Sequence, residues 1–206
     1  MSNIRILIVS FLCIALLQAC GGGSGSSGGN SDTNESANSD DSVPAELYTG
    51  KFIDSAVANL GYEINGMSGI TDAEGKFQYD APGIVTFTLG DLVLGEGYVG
   101  AGSELMTPFD LISAGFNEEV TYNIALFLQS LDTDGDPDSN GITLPTTGLS
   151  NLPATLDFSD TSSVEQAVIA TGSSVRNIEE VTEHLNNTMI RIGLENIVPG
   201  EFVSTT

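Results

Sequence analysis

Lys76-Phe77-Gln78-Tyr79-Asp80-Ala81-Pro82-Gly83-Ile84-Val85-Thr86-Phe87-Thr88-Leu89 is the stretch that decides the fold. Phe77 and Tyr79, then Val85, Phe87 and Leu89, stand at alternate positions among polar or less bulky neighbours, the period of a strand with one buried face. Between the two runs, Asp80-Ala81-Pro82-Gly83 supplies turn chemistry: proline presets its own φ and glycine accepts either sign of it. Upstream, Tyr62 and Ile64 repeat the alternation, and Asn65-Gly66 and Asp72-Ala73-Glu74-Gly75 supply further turns. Short strands separated this way predict a small antiparallel β-sandwich over 46–103.

Beyond it the period changes. Glu118 to Leu131 places Val120, Ile124, Phe127, Leu128 and Leu131 on one stripe, with two acids in the first turn where the helix dipole favours them. Ser162 and Glu165 have the spacing of a capping box before Val164 to Ala170. A longer helix over 174–192 carries Val175, Ile178, Val181, Leu185, Met189 and Ile192 on one face. Region 104–206 therefore reads as helical, and the chain as α+β, with strands first and helices after.

The first of these helices runs into Leu131-Asp132-Thr133-Asp134-Gly135-Asp136-Pro137-Asp138-Ser139-Asn140-Gly141. Acids at every second position, with Gly135 allowing a sharp bend, place Asp132, Asp134 and Asp136 on the inside of a curved loop. Calcium takes six to eight oxygen ligands, and closely spaced aspartates provide them; Asp138 or Asn140 would complete the shell, directly or through water. The spacing resembles the opening of an EF-hand loop, but Gly135 falls at the fourth position instead of the sixth. Thr143 stands where a bidentate glutamate would be. A solvated acidic turn is the alternative.

At the N-terminus, Arg5 precedes Ile6 to Leu17, an almost unbroken apolar run. About a dozen residues is short of the roughly 20 that cross a bilayer, so 1–19 reads as a signal peptide. It ends in Leu17-Gln18-Ala19-Cys20, which resembles the bacterial lipobox. The resemblance implies cleavage before Cys20, a diacylglycerol on its thiol and, usually, acylation of the new amino group. Gly21, where an aspartate would retain the chain at the inner membrane, implies the outer membrane. Segment 20–45 is dominated by Gly, Ser, Asn and Asp, a composition that buries too little to fold and serves as a tether of roughly 25 to 30 Å.

Charge narrows the functions further. Beyond residue 19 four basic residues face 28 acidic ones. Nucleic acid is excluded as a partner, because phosphate contacts need basic groups. Cys13 lies in the leader and Cys20 takes the lipid, so no free thiol remains, and with a single histidine zinc sites of His and Cys are excluded. His184 falls at the edge of its helix's apolar stripe and reads as a packing or solvent-flanking residue. Gly25-Ser26-Ser27-Gly28-Gly29 fits G-x-S-x-G without the strand and helix that pattern needs. Gly95-Glu96-Gly97-Tyr98-Val99-Gly100 fits G-x-G-x-x-G without a parallel βαβ unit and reads as a loop.

Gly50-Lys51-Phe52-Ile53-Asp54 followed by Gly69-Ile70-Thr71-Asp72-Ala73-Glu74-Gly75-Lys76-Phe77 is similar to the transthyretin-like sandwich of carboxypeptidase regulatory modules, and Thr86-Phe87-Thr88-Leu89-Gly90-Asp91 and Leu131-Asp132-Thr133-Asp134-Gly135-Asp136 resemble segments of Gram-negative envelope lipoproteins and adhesin-like proteins. That resemblance implies a noncatalytic binding or accessory module, held to the membrane by its lipid and partnered by an envelope protein or a surface polymer. An accessory lipoprotein of an outer-membrane transport channel is one alternative. An acid-pair hydrolase of a surface polymer is the other; it would need two carboxylates flanking a glycosidic bond.

Overall fold

The computed structural model describes residues 47–102, 104–111 and 117–195. The leader, Cys20, the tether and the Gly25 to Gly29 motif lie outside them. The element order is β1 (Tyr48–Phe52), β2 (Val57–Ala58), β3 (Gly61–Ile64), β4 (Met67–Ile70), β5 (Lys76–Tyr79), β6 (Gly83–Leu89), β7 (Leu92–Val99), β8 (Glu104–Met106), α1 (Glu118–Ser130), α2 (Pro137–Asn140), β9 (Ile142–Thr143), α3 (Thr161–Ala170) and α4 (Ile178–Glu195). The class is α+β, strands first and helices after, as the change of period predicts.

Two sheets face each other. One has the order β5-β1-β8, the other β4-β3-β6-β7, and the short pair β2-β9 stands beside them. The alternation on β6 is obeyed: Val85, Phe87 and Leu89 are buried, while Ile84 is half exposed. Phe87 meets Phe52 of β1 and Phe77 of β5 across the sandwich, at ring-centroid distances of 4.7 and 5.3 Å. Asn65 and Gly66 both take positive φ, which a two-residue turn between β3 and β4 requires and which Asn-Gly accepts at low cost.

The pairing is not wholly antiparallel. β8 runs parallel to β1 (Gly50 opposite Glu104, Phe52 opposite Met106), and β9 runs parallel to β2. Each arrives by a crossover, β8 after the chain has passed through the other sheet and β9 after α1, and side-chain periodicity carries no sign of strand direction. Both strands also lie beyond 103. A single core, from Phe52 through Phe87, Ile124 and Phe127 to Val181 and Leu185, joins the two regions.

Three further expectations change. Gly95 to Val99 is strand, the end of β7, where the absence of a side chain on Gly97 leaves room for Met106 and the Asp110 carbonyl. The cap of α3 is Asp160, whose carboxylate accepts the Ser162 N–H at 3.1 Å, so the helix starts before the Ser162 to Glu165 box. α4 begins at Ile178 instead of 174, and its buried face is Val181, His184, Leu185 and Thr188, with Ile178 exposed. No described helix is long and apolar enough to cross a membrane.

Candidate functional site

Directly after β1, Ile53 and Ala56 bridge across a two-residue turn, Asp54-Ser55. The turn sits against the helices, where Asp54 is enclosed and Ser55 is half-buried. Asp54 is completely buried. The last turn of α1 brings Gln129, whose Nε2 donates to Asp54 Oδ1 and Oδ2 at 3.2 and 3.0 Å. α4 brings His184, with Nε2 at 3.8 Å from Asp54 Oδ1 and 3.1 Å from Ser55 Oγ. Its Nδ1 is 2.9 Å from Oδ1 of Asp138, on α2. His184 is only 6% exposed, so the reading as a solvent-flanking residue gives way to a buried ring with polar partners on both nitrogens.

Burial pushes the Asp54 acid up from 3.8 to about 6, against the opposing effects of the Gln129 hydrogen bond and the attraction of His184 and Arg176. An acid whose pKa is higher folded than unfolded binds more protons in the native state, so its contribution to stability is present below 3.8 and is lost as pH rises to about 6. Asp54→Asn should therefore lose less stability than the wild type over that window. Urea melts across it are the check, and parallel curves for the two proteins would contradict the assignment.

The aspartate loop is built on the same helix end. Asp132 Oδ1 accepts the Thr143 N–H at 2.9 Å, which ties the loop to β9. Asp134 Oδ1 accepts the Asp136 N–H at 3.0 Å and its Oδ2 accepts Asn140 Nδ2 at 2.6 Å. Gly135 bends the loop with φ 73, and its carbonyl accepts Arg176 Nη1 at 3.0 Å. Gly141 passes so close to Ala56 that a Cβ would stand 2.6 Å from the Ala56 carbonyl, where Ile142 N–H donates.

Of the five residues the spacing singled out, the fold joins Asp132, Asp134 and Asn140 around one bend, leaves Asp136 exposed at its rim, and turns Asp138 away to His184. Burial raises the Asp132 acid, with the adjoining Asp134 carboxylate adding to the rise, while the Asp136 N–H and Asn140 lower that of Asp134. Among the described residues no three His, Cys, Asp or Glu side chains gather where they could hold a metal ion.

Three buried side-chain atoms among the described residues have no hydrogen-bond partner: Gln129 Oε1, Asp132 Oδ2 and Arg176 Nε. All three residues line one cleft of about 530 Å³ beside the loop. Gln129 was not legible as a site residue, because in sequence it is one more polar position on an amphipathic helix. No protein-family model matches the chain, and neither a curated protein nor a solved structure does.

Proposed function

We propose that this chain is a lipid-anchored protein of the bacterial envelope, outer membrane in preference to inner. Its folded domain binds calcium at the 132–140 loop and acts as an accessory module toward an envelope protein or surface polymer. The observation that carries the cation is Asp132 Oδ2. A buried carboxylate oxygen without a partner costs on the order of 1 to 3 kcal/mol or more, and a bound cation removes that cost. Gln129 Oε1 is a second unpartnered oxygen on the same cleft. With Asp134 beside Asp132, and Asp136, Asn140 and water to complete the shell, the donor set is all oxygen, which suits calcium and not a thiolate- or imidazole-preferring metal.

An ion here would fix more than its own loop. Asp132 is bonded to β9, Gln129 holds Asp54, and Asp138 at the far end of the loop holds His184. The tether then serves to carry a rigid domain at a distance from the lipid surface. Calorimetric titration of the full-length chain with calcium chloride at fixed ionic strength tests the reading. One ion per chain, with a dissociation constant of about 10⁻⁴ to 10⁻³ M, is the expected result. Asp132→Asn should abolish it, and an unchanged isotherm in that variant would remove the loop from the account.

A further inference from the structure

A second cleft, of about 290 Å³, is lined in part by Ser55, Asp138, Asn140, Thr188, Lys51 and Arg191. We infer that Ser55, His184 and Asp138 form a nucleophile, base and orienter that cleave a small carboxylic ester in this cleft. The inference goes beyond the binding reading and departs from the noncatalytic role that the resemblance of the first half implies. It passes no step through an ion, although Asp138 stands at the far end of the 132–140 loop.

The geometry is that of an activated hydroxyl. Asp138 as a carboxylate only accepts, so its 2.9 Å contact assigns the proton of the neutral ring to Nδ1. Nε2 is then the basic nitrogen, 3.1 Å from Ser55 Oγ and placed to accept its proton. The ring itself is held in the core beside Leu185 and Val181. A triad is recognised by such roles and distances, not by chain order, and here the members are far apart in sequence.

A second observation is the backbone of Ser55. Its φ is 57, in the left-handed region that side chains other than Gly and Asn rarely enter. The other two such residues among those described are Asn59 and Asn65, which tolerate it. Glycine would be the undemanding residue at this turn, and the strained serine instead places its hydroxyl on His184 at the edge of the cleft.

The step balances without a co-reactant other than water. Ser55 Oγ bonds to the acyl carbon as its proton passes to His184 Nε2. The carbonyl electrons return from the oxyanion as the ester C–O bond breaks, and the leaving alcohol takes the proton from the ring. Water then attacks the acyl-enzyme with the ring as base, freeing the carboxylic acid and restoring the serine. The buried Asp54, 3.8 Å from Nε2, adds negative charge beside the ring while it is protonated. The cleft's size admits a short acyl group, since pockets for drug-sized ligands begin at about 300 Å³. Lys51 and Arg191 line it together with Glu74 and Asp138, so the lining carries charges of both signs and favours a polar ester.

The test uses the full-length chain in detergent, a fluorophosphonate probe and p-nitrophenyl acetate. The probe should add covalently to Ser55, located by peptide mass, and hydrolysis should fall by about 10² to 10⁴ in His184→Gln and Asp138→Asn. Ser55→Gly should lose both reactions while melting at or above the wild-type temperature, because glycine accepts this φ. That result separates lost chemistry from lost fold. Absence of adduct at Ser55 in the folded wild type, or hydrolysis that survives in Ser55→Gly, overturns the inference.

Discussion

Replacing Cys20 by serine should free every processed copy of the chain from the membrane and abolish its labelling with fatty acid. The anchor proposed here is two or three acyl chains on one residue, each buried methylene contributing about 0.8 kcal/mol of membrane affinity. A single chain binds only marginally, and stable anchoring takes two or more. No described helix can substitute for them, and an excess of 23 acidic charges gives the chain no attraction for anionic lipid. The effect is accordingly all or none. The measurement is fractionation after a high-salt wash with radiolabelled palmitate in the medium. A processed serine variant that still sediments with membranes would show that lipid is not the anchor.

The second large effect is in the core. Phe87 is fully buried and sits against both Phe52 and Phe77, so it is a principal side chain through which the two sheets meet. Phe87→Ala removes a ring and leaves a cavity, a loss of about 3 to 5 kcal/mol. Against a total of roughly 5 to 15 kcal/mol that is a large fraction, and at roughly 2 to 4 °C per kcal/mol the midpoint should fall by about 10 °C. Ile84→Ala, three residues away on the exposed face of β6, should change stability by no more than about 0.5 kcal/mol. Equal losses in the two variants would mean that the aromatic layer does not join the sheets.

The contrast between Phe87 and Ile84 is also where the sequence was most legible. Period-two alternation is set by the pleat, so a strand with one buried face announces itself in its own residues, and the 3.6-residue stripe of α1 does the same. What depends on two distant segments left no such mark. The parallel pairing of β8 with β1 brings together residues about fifty positions apart, and hydrophobic pattern does not record direction. Gly95 to Val99 read as loop because glycine is depleted in strands, yet Gly97 is there to let Met106 and the Asp110 backbone approach.

The site shows the same division. Asp132, Asp134 and Asn140 were legible because the bend that joins them is local. Asp138 has the same spacing but faces His184, a partner 46 residues on. Ser55 and His184 are 129 residues apart. A lone histidine near an apolar stripe, and a serine after an aspartate in a turn, carry no signal until the fold brings them within hydrogen-bond reach. Gln129 is likewise silent until Asp54 is buried against it.

The claim on which the account turns is that the aspartate loop is a cation site and not merely a charged bend, and a thermal melt with millimolar calcium, magnesium or neither tests it most directly. The comparison is made at constant ionic strength, since screening of an acidic surface stabilises the fold without any site. At ten times the dissociation constant, binding to the native state alone contributes roughly 1.4 kcal/mol, a rise of a few degrees for a domain of this size. Magnesium, which sheds water reluctantly and demands a tight octahedron, should do less. In the chain carrying Asp132→Asn and Asp134→Asn the calcium rise should vanish. Equal shifts in the wild type and the double variant would contradict the site.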